Sequence, residues 1–370
     1  MQKQIWNISK LLAWAMDYFK TKEIPEPRLS AELLLSAVLN LSRMDLYLKY
    51  DLELDETQLK TYKAMILRRL GHEPIQYITG EAYFRKIKLE VDKSVLIPRP
   101  ETELVVESAK KAILRLAGLK TASMKSNKAG ANNSENSITQ TDKSQISQNK
   151  SQISQKGSKK IQNKEDSDTD NIGMDALSPN HIINVLEIGI GSGAIALSLL
   201  FETELNADQT LPINVIATDI SGDALKTALK NAGNILTPQK FGHLDLFECD
   251  VIPGDNEEFL NKYLKNIDMI ISNPPYIAEA NYKNLEKQVK DYEPEQALNA
   301  GKTGTEQYSH IIKMVKPFLN PAASCIIFET DPLTSPELQR IVKSEFKDCS
   351  ITIEKDYNGL ERILTVFIGN

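Results

Sequence analysis

The residues with the clearest chemical potential are Asn273-Pro274-Pro275-Tyr276, which follow the apolar run Met269-Ile-Ile271. A continuous apolar run of this kind reads as a fully buried strand. Neither proline can donate to a ladder, so the strand is expected to stop at Asn273. The residue before a proline is steered away from helical geometry, which leaves Asn273 extended at the carboxyl end of that strand. Open α/β sheets place their ligands there. The Asn273 side-chain oxygen and the Pro274 carbonyl are then neighbouring acceptors, able to take one N–H each of a planar NH2 group. Pro275 has no N–H to satisfy and stiffens that carbonyl, while Tyr276 offers a flat face. The plainer reading is a strand-ending turn without chemistry.

A second constellation lies upstream. Gly189-Ile190-Gly191-Ser192-Gly193 follows one apolar run and opens another. A glycine loop at that position turns backbone N–H groups and a helix dipole toward a ligand. The third glycine comes one residue too early for a dinucleotide fingerprint, and no Gly-Lys-Ser/Thr follows, so a phosphate-clamping loop is excluded. Asp219, ending a second apolar strand, is placed to accept from both ribose hydroxyls of a nucleoside. Asp250, ending a third, can accept from an adenine amino group. A nucleoside with an amino-acid end and no phosphate satisfies this set, and S-adenosylmethionine is such a molecule. Arg99, between Pro98 and Pro100, is either a surface-linker residue or a rigidly placed contact for an anion or carboxylate.

The elements needed to hold these residues are legible in the pattern. Strands are expected at residues 183–189, 213–219, 244–251, 267–272 and 324–329, with helices at 194–201, 223–234, 308–319 and 336–346 between them. Alternation of this kind builds a doubly wound parallel sheet. A closing hairpin, 351–356 and 362–368 around Asn358-Gly359, adds antiparallel strands. Upstream, residues 5 to about 70 read as helices, one of them started by the capping box Asp55-Glu-Thr-Gln58 and ended by Gly71. Within residues 74–97, residues 82–91 alternate like a hairpin, and Thr102 is expected to cap a helix over 104–116. The division is therefore a helical domain at 1–73, whose role is to bind something or to cover a site, a linker with a hairpin at 74–97, and an α/β domain at 98–370. Residues 120–180 hold no aromatic residue, and Lys143-Ser-Gln-Ile-Ser-Gln repeats at Lys150. Such a segment cannot bury enough apolar area to offset the entropy of ordering it, and is read as a disordered insertion.

Composition narrows the class. The 370 residues are 41% hydrophobic and 25% charged, ordinary for a globular protein. A net charge of −6 argues against a broad nucleic-acid surface. Three scattered cysteines and four scattered histidines offer neither a disulfide framework nor metal-ligand spacing, which fits a reducing cytoplasm. No apolar run is long enough to span a bilayer.

Gly189–Gly193, Asp219, Asp250 and Asn273–Tyr276, in that order, resemble the class I S-adenosylmethionine-dependent methyltransferases that modify planar amino or amide nitrogens. His72-Glu-Pro-Ile-Gln-Tyr-Ile-Thr-Gly80, Leu96-Ile-Pro-Arg-Pro-Glu-Thr-Glu103, Tyr292-Glu-Pro294 and Asp356–Arg362 narrow the resemblance to the release factor glutamine N5-methyltransferases. It covers nearly the whole chain outside 120–180. It implies a seven-stranded Rossmann-like sheet with a small all-helical N-terminal domain. It also implies S-adenosyl-L-methionine as cofactor, S-adenosyl-L-homocysteine as product and no metal. The implied substrate is the glutamine of the GGQ motif in class 1 peptide chain release factors, with no direct nucleic-acid or membrane partner. Cofactor contacts are implied at Glu187, Gly189, Ile190, Gly191, Ser192, Gly193, Asp219, Asp250, Val251 and Asn273, and substrate contacts at Arg99 and Asn273 to Tyr276. Three positions depart from the family pattern. Glu329-Thr-Asp331 stands for Glu-His-Gly, Pro321-Ala-Ala323 for a Gly-Gly, and Val251 for an aromatic residue beside the adenine.

An amide nitrogen is a poor nucleophile, so such a site must aim the NH2 group and polarise it. Orientation can supply ~7–11 kcal/mol in the best intramolecular cases, and acceptors facing the developing positive charge add to it. The same tetrapeptide can hold the amino group of a flipped adenine, which leaves an adenine-N6 DNA methyltransferase as an alternative. A non-catalytic nucleoside-binding module is another. The acidic charge argues against the first, and the intact glycine loop and Asn273 against the second.

Overall fold

Strands Ile183–Ile188, Met269–Ser272 and Ser324–Glu329 are buried along their whole length. Strands covered by helices on both faces are mainly apolar, and the buried polar exceptions here are Asn184, Glu187, Ser272, Ser324 and Glu329. The computed structural model describes residues 5–118, 182–202, 204–206, 209–210, 213–254 and 256–369. The expected insertion at 120–180 lies outside the described residues. In chain order the strands are β1 (Glu81–Phe84), β2 (Ile87–Glu90), β3 (Ile183–Ile188), β4 (Glu204–Asn206), β5 (Gln209–Thr210) and β6 (Ile213–Asp219). They continue with β7 (Leu244–Glu248), β8 (Met269–Ser272), β9 (Ser324–Glu329), β10 (Cys349–Lys355) and β11 (Glu361–Ile368).

Seven of them form one sheet in the order β10-β11-β9-β8-β3-β6-β7. Five run parallel from β9 to β7, and β11 inserts antiparallel between β9 and β10. The seven-stranded α/β sheet expected from the pattern is therefore present, with its closing hairpin. The chain order reverses direction at β3, so β3, β6 and β8 bring their carboxyl ends together, the place where such sheets bind ligands. Leu186, Ile216, Ile270, Phe328 and Leu364 belong to one core with the helices Glu306–Val315 and Ser335–Glu345.

Several boundaries differ from expectation by a few residues, and two of the differences touch candidate residues. β7 ends at Glu248, because its ladder to β6 runs out at Asp219, so Asp250 and Val251 lie in the loop beyond the strand. Thr102 does not cap the helix over residues 103–118. It closes a 3-10 turn, Pro100–Thr102, with its side chain engaged elsewhere.

The N-terminal region is helical as expected. Helix Ile8–Thr21 buries Ile8, Leu11, Leu12, Ala15 and Phe19, one stripe at helical spacing. Helix Glu56–Leu70 has the capping box read from Asp55 and Gln58 and stops at Gly71. The structure adds a short helix at Arg43–Leu48, with its own capping box from Ser42 and Asp45. Residues 1–116 and 182–370 form one unit, so the helical region packs with the α/β region. Among the described residues no helix is long and apolar enough to cross a membrane.

Candidate active site

The carboxyl ends of β3, β6 and β8 open on a cleft of about 360 Å³, lined by the glycine loop, Asp219, Asp250, Val251 and Asn273 to Pro275. The glycine loop is clamped to the end of β6. The Gly189 and Ile190 amides donate to the Thr218 carbonyl at 2.8 and 3.0 Å, and the Gly191 amide to Asp219 Oδ2 at 2.9 Å. Gly193 sits at φ +87°, where an added Cβ would stand 2.8 Å from Leu197 Cδ1, so a larger residue is strained in its backbone and must displace Leu197. Asn231, buried, donates from its Nδ2 to the Ser192 carbonyl and ties the loop to the Glu90 backbone.

The carboxylates around the loop differ in environment. Asp219 accepts from Gly191 with one oxygen and from Ser221 N, at 2.9 Å, with the other. Burial raises its pKa, and those backbone amides oppose the rise. Glu187, fully buried under the loop, is raised well above the usual carboxylate range by burial, with Asp219 adding to it. Its Oε2 has no hydrogen-bond partner. Asp250 is largely exposed at the rim and bonded to His310 Nε2 at 2.7 Å. Val251 is buried, and its carbonyl accepts from Thr218 Oγ1 at 3.1 Å.

On the other wall β8 ends at Ser272, whose hydroxyl donates to the Ile188 carbonyl at 2.8 Å. Asn273 Nδ2 donates to Thr102 Oγ1 at 3.2 Å. Among the described residues no group donates to Asn273 Oδ1 or to the Pro274 carbonyl, so both remain available as acceptors. The Tyr276 hydroxyl lies 3.4 Å from Glu329 Oε1, and burial raises its pKa.

Arg99 also lines the cleft, but its charge is compensated: its Nη2 lies 2.5 Å from Glu293 Oε1. Glu293 is buried and accepts from the Ile97 amide as well, at 3.2 Å. Burial raises the Glu293 pKa and Arg99 holds it down. The pair locks the segment around Pro98 to the loop around Pro294. The structure thus brings together the glycine loop, Asp219 and the Asn273 tetrapeptide, sets Asp250 at the rim, and gives Arg99 a partner.

Four residues that matter here have no such role legible in the sequence: Thr102, Asn231, Glu293 and Glu329. Glu293 and Glu329 stand in the motifs Tyr292-Glu-Pro294 and Glu329-Thr-Asp331, which is the available signal. Asn231 stands in a helix without any. Among the described residues no group of three His, Cys, Asp or Glu side chains is arranged to hold a metal.

Residues 10–80 match the family model described as the PrmC N-terminal domain. Over 98% of its length the chain is 32% identical to the release factor glutamine methyltransferase of Chlorobaculum tepidum, of which it covers 98%. It is 28% identical to that of Geobacter sulfurreducens, over 99% of this chain and 98% of that one. It is also 31% identical to a bifunctional methyltransferase of Rickettsia typhi, over 87% of this chain and 50% of that longer protein. With nearly full-length similarity at this level, the chain belongs to the release factor glutamine methyltransferase family.

Proposed function

We propose that the cleft binds S-adenosylmethionine and that the protein, acting in the cytoplasm, methylates the side-chain nitrogen of the GGQ glutamine in class 1 release factors. The observation that carries this is the pair of free acceptors, Asn273 Oδ1 and the Pro274 carbonyl, at the carboxyl end of β8 beside the glycine loop.

The residues present fit the cofactor. Asp219 has both oxygens tied by backbone amides and lone pairs left for ribose hydroxyls. The unpartnered Oε2 of Glu187 is a buried acceptor that suits a cationic group such as an ammonium. Val251 supplies an apolar contact for the adenine face, and Asp250 an acceptor at the rim. When bound, the cofactor supplies an electrophilic methyl group.

The chain's own part is positioning. Asn273 Oδ1 and the Pro274 carbonyl each accept one N–H of the glutamine amide, which fixes its plane and aims its nitrogen into the cleft. As positive charge develops on that nitrogen, the two oxygens stabilise it. Pro275 holds the carbonyl still, and Tyr276 packs against the amide face. An N-methylated, protonated amide is strongly acidic, so its proton leaves without a strong base. Arg99, neutralised by Glu293, acts by shaping the wall through which the substrate enters.

The test is Asn273→Ala in the full chain, given S-adenosylmethionine with either a release factor or duplex DNA. The wild type is expected to add the mass of one CH2 group to a release factor glutamine and none to DNA. The variant is expected to lose transfer while still binding S-adenosylhomocysteine. Near-wild-type turnover in the variant sinks the assignment.

A further inference from the structure

The closing segment Asp356–Arg362 stands out in the sequence and has no part in the contacts assigned so far. It forms the turn between β10 and β11. β11 runs antiparallel to β9, with Ile363 opposite Glu329, so the turn stands at the same edge of the sheet as the carboxyl ends of β8 and β9.

One carboxylate holds this turn rigid. Asp356 Oδ1 accepts from the Asn358 and Leu360 amides at 2.8 and 3.0 Å, and its Oδ2 accepts from Arg362 Nε at 2.9 Å. The Asp356 amide donates to the Leu360 carbonyl at 2.8 Å, and Gly359 supplies the φ of +77° that the reversal needs. Two more bonds tie the turn to the connection after β9. Thr330 N donates to the Arg362 carbonyl at 2.7 Å, and Ser335 Oγ to Glu361 Oε2 at 2.6 Å. Leu333 lies between those two anchor points.

The tip carries apolar side chains that the fold does not use. Tyr357 is fully exposed, more so than any other large apolar side chain among the described residues, and Leu333 and Leu360 are 78% and 42% exposed. Apolar residues scattered singly are ordinary on a protein surface. Here three stand on two connections tied to each other, at the edge where the acceptor groups lie. A tyrosine offers a broad ring with few rotatable bonds, and on a turn already fixed it costs little to order on binding.

We propose that the Asp356–Arg362 turn, with Leu333, is a docking surface for the release factor, where it takes an apolar patch beside the acceptor glutamine. Tyr357 is the anchor, Leu333 and Leu360 widen the contact, and Asp356 and Arg362 hold the tip in shape. Continuity with the cleft singles out this occupant. A glutamine side chain held at Asn273 leaves the rest of its protein outside the cleft mouth, against the edge on which the turn stands. β11 is two strands from β8, roughly 10 Å at the usual strand spacing. A standard interface covers about 800 Å² on each partner, roughly 30 Å across, and so takes in the tip. This rests on the release factor as substrate and adds where that substrate is gripped beyond the acceptor groups.

Steady-state kinetics of the full chain on a release factor test the surface. Tyr357→Ala removes a side chain that stands wholly in solvent, so the fold is kept. Its kcat/KM for the release factor is expected to fall about tenfold, the scale of losing an interface anchor. The loss should lie in KM, with kcat, thermal midpoint and affinity for S-adenosylhomocysteine near wild type. Tyr357→Phe should recover most of it, and Leu333→Ser should act in the same direction as Tyr357→Ala. A Tyr357→Ala enzyme with wild-type kcat/KM, or one whose loss lies in kcat alone, overturns the proposal. So does a wild-type dimer that Tyr357→Ala dissociates in sedimentation velocity, which would assign the tip to a second copy of the chain. An active Asn273→Ala enzyme would instead overturn the parent assignment, whereas inactive Asn273→Ala beside an unimpaired Tyr357→Ala defeats the docking surface alone.

Discussion

Glu329→Gln should stabilise the fold relative to wild type, and by more at alkaline pH than at acidic pH. The Glu329 carboxyl titrates at about 7 in the fold against an ordinary 4.5, chiefly because burial disfavours its charged form. A tenfold change in an acid's dissociation constant is worth about 1.4 kcal/mol, so holding this carboxyl ionised in the fold costs about 3 kcal/mol. The folded-state pKa lies above the unfolded one. Its contribution to stability is therefore fully present below about 4.5 and is lost as pH rises through about 7. Between about pH 5 and about pH 8 the wild type should lose about 2.5 kcal/mol through this group alone. Glutamine has nearly the same shape and no proton to lose, so it escapes that loss. The assay is thermal unfolding of both proteins at the two pH values, read as the difference of differences, in which every other titrating group cancels. At ~2 °C per kcal/mol for a chain of this size, the variant's gain should be about 5 °C larger at the higher pH. A gain equal at both values would refute the account of Glu329 as a carboxylate held ionised at a cost.

Two further outcomes follow from the geometry. Gly193→Ala forces a side chain into left-handed backbone at φ +87° and against Leu197. It should cost about 1–2 kcal/mol in the backbone and weaken S-adenosylhomocysteine binding about tenfold by calorimetry, and unchanged affinity would contradict the role given to the loop. Arg99→Ala leaves Glu293 buried with the Ile97 amide as its remaining partner and should cost about 3 kcal/mol in denaturant unfolding. Adding Glu293→Gln should restore most of that, whereas strictly additive losses would show that the two residues are not coupled.

What the sequence reveals is what local rules govern. β6 and β9 are legible to the residue, because an apolar run bounded by turn residues leaves a buried strand little freedom. The glycine loop is equally plain, since only glycine tolerates its backbone. Asp250 is harder. It sits just past β7, and its bond to His310, 60 residues on, has no local trace. The same limit hides Asn231, which reaches from a helix to Ser192 and Glu90, and it hides the partner of Arg99. Thr102 shows the limit most clearly. Before a helix a threonine reads as a cap by propensity, yet its oxygen is taken by Asn273, 171 residues away. Tertiary hydrogen bonding overrides the local preference.

That long-range pattern bears on why one tetrapeptide can serve different substrates. In the proposed role Asn273 and Pro274 would hold any planar NH2 group, so selection must come from what surrounds them. Here the surroundings are built from distant segments tied to one another. Gly71, at the end of helix Glu56–Leu70, accepts from the Tyr292 hydroxyl at 2.6 Å. Arg69, on the same helix, lies 3.5 Å from Gln288. Glu293 holds Arg99, three residues before the Thr102 that holds Asn273. Helix Glu56–Leu70, the loop after the tetrapeptide and the Pro98–Thr102 segment are thus tied to one another beside the site.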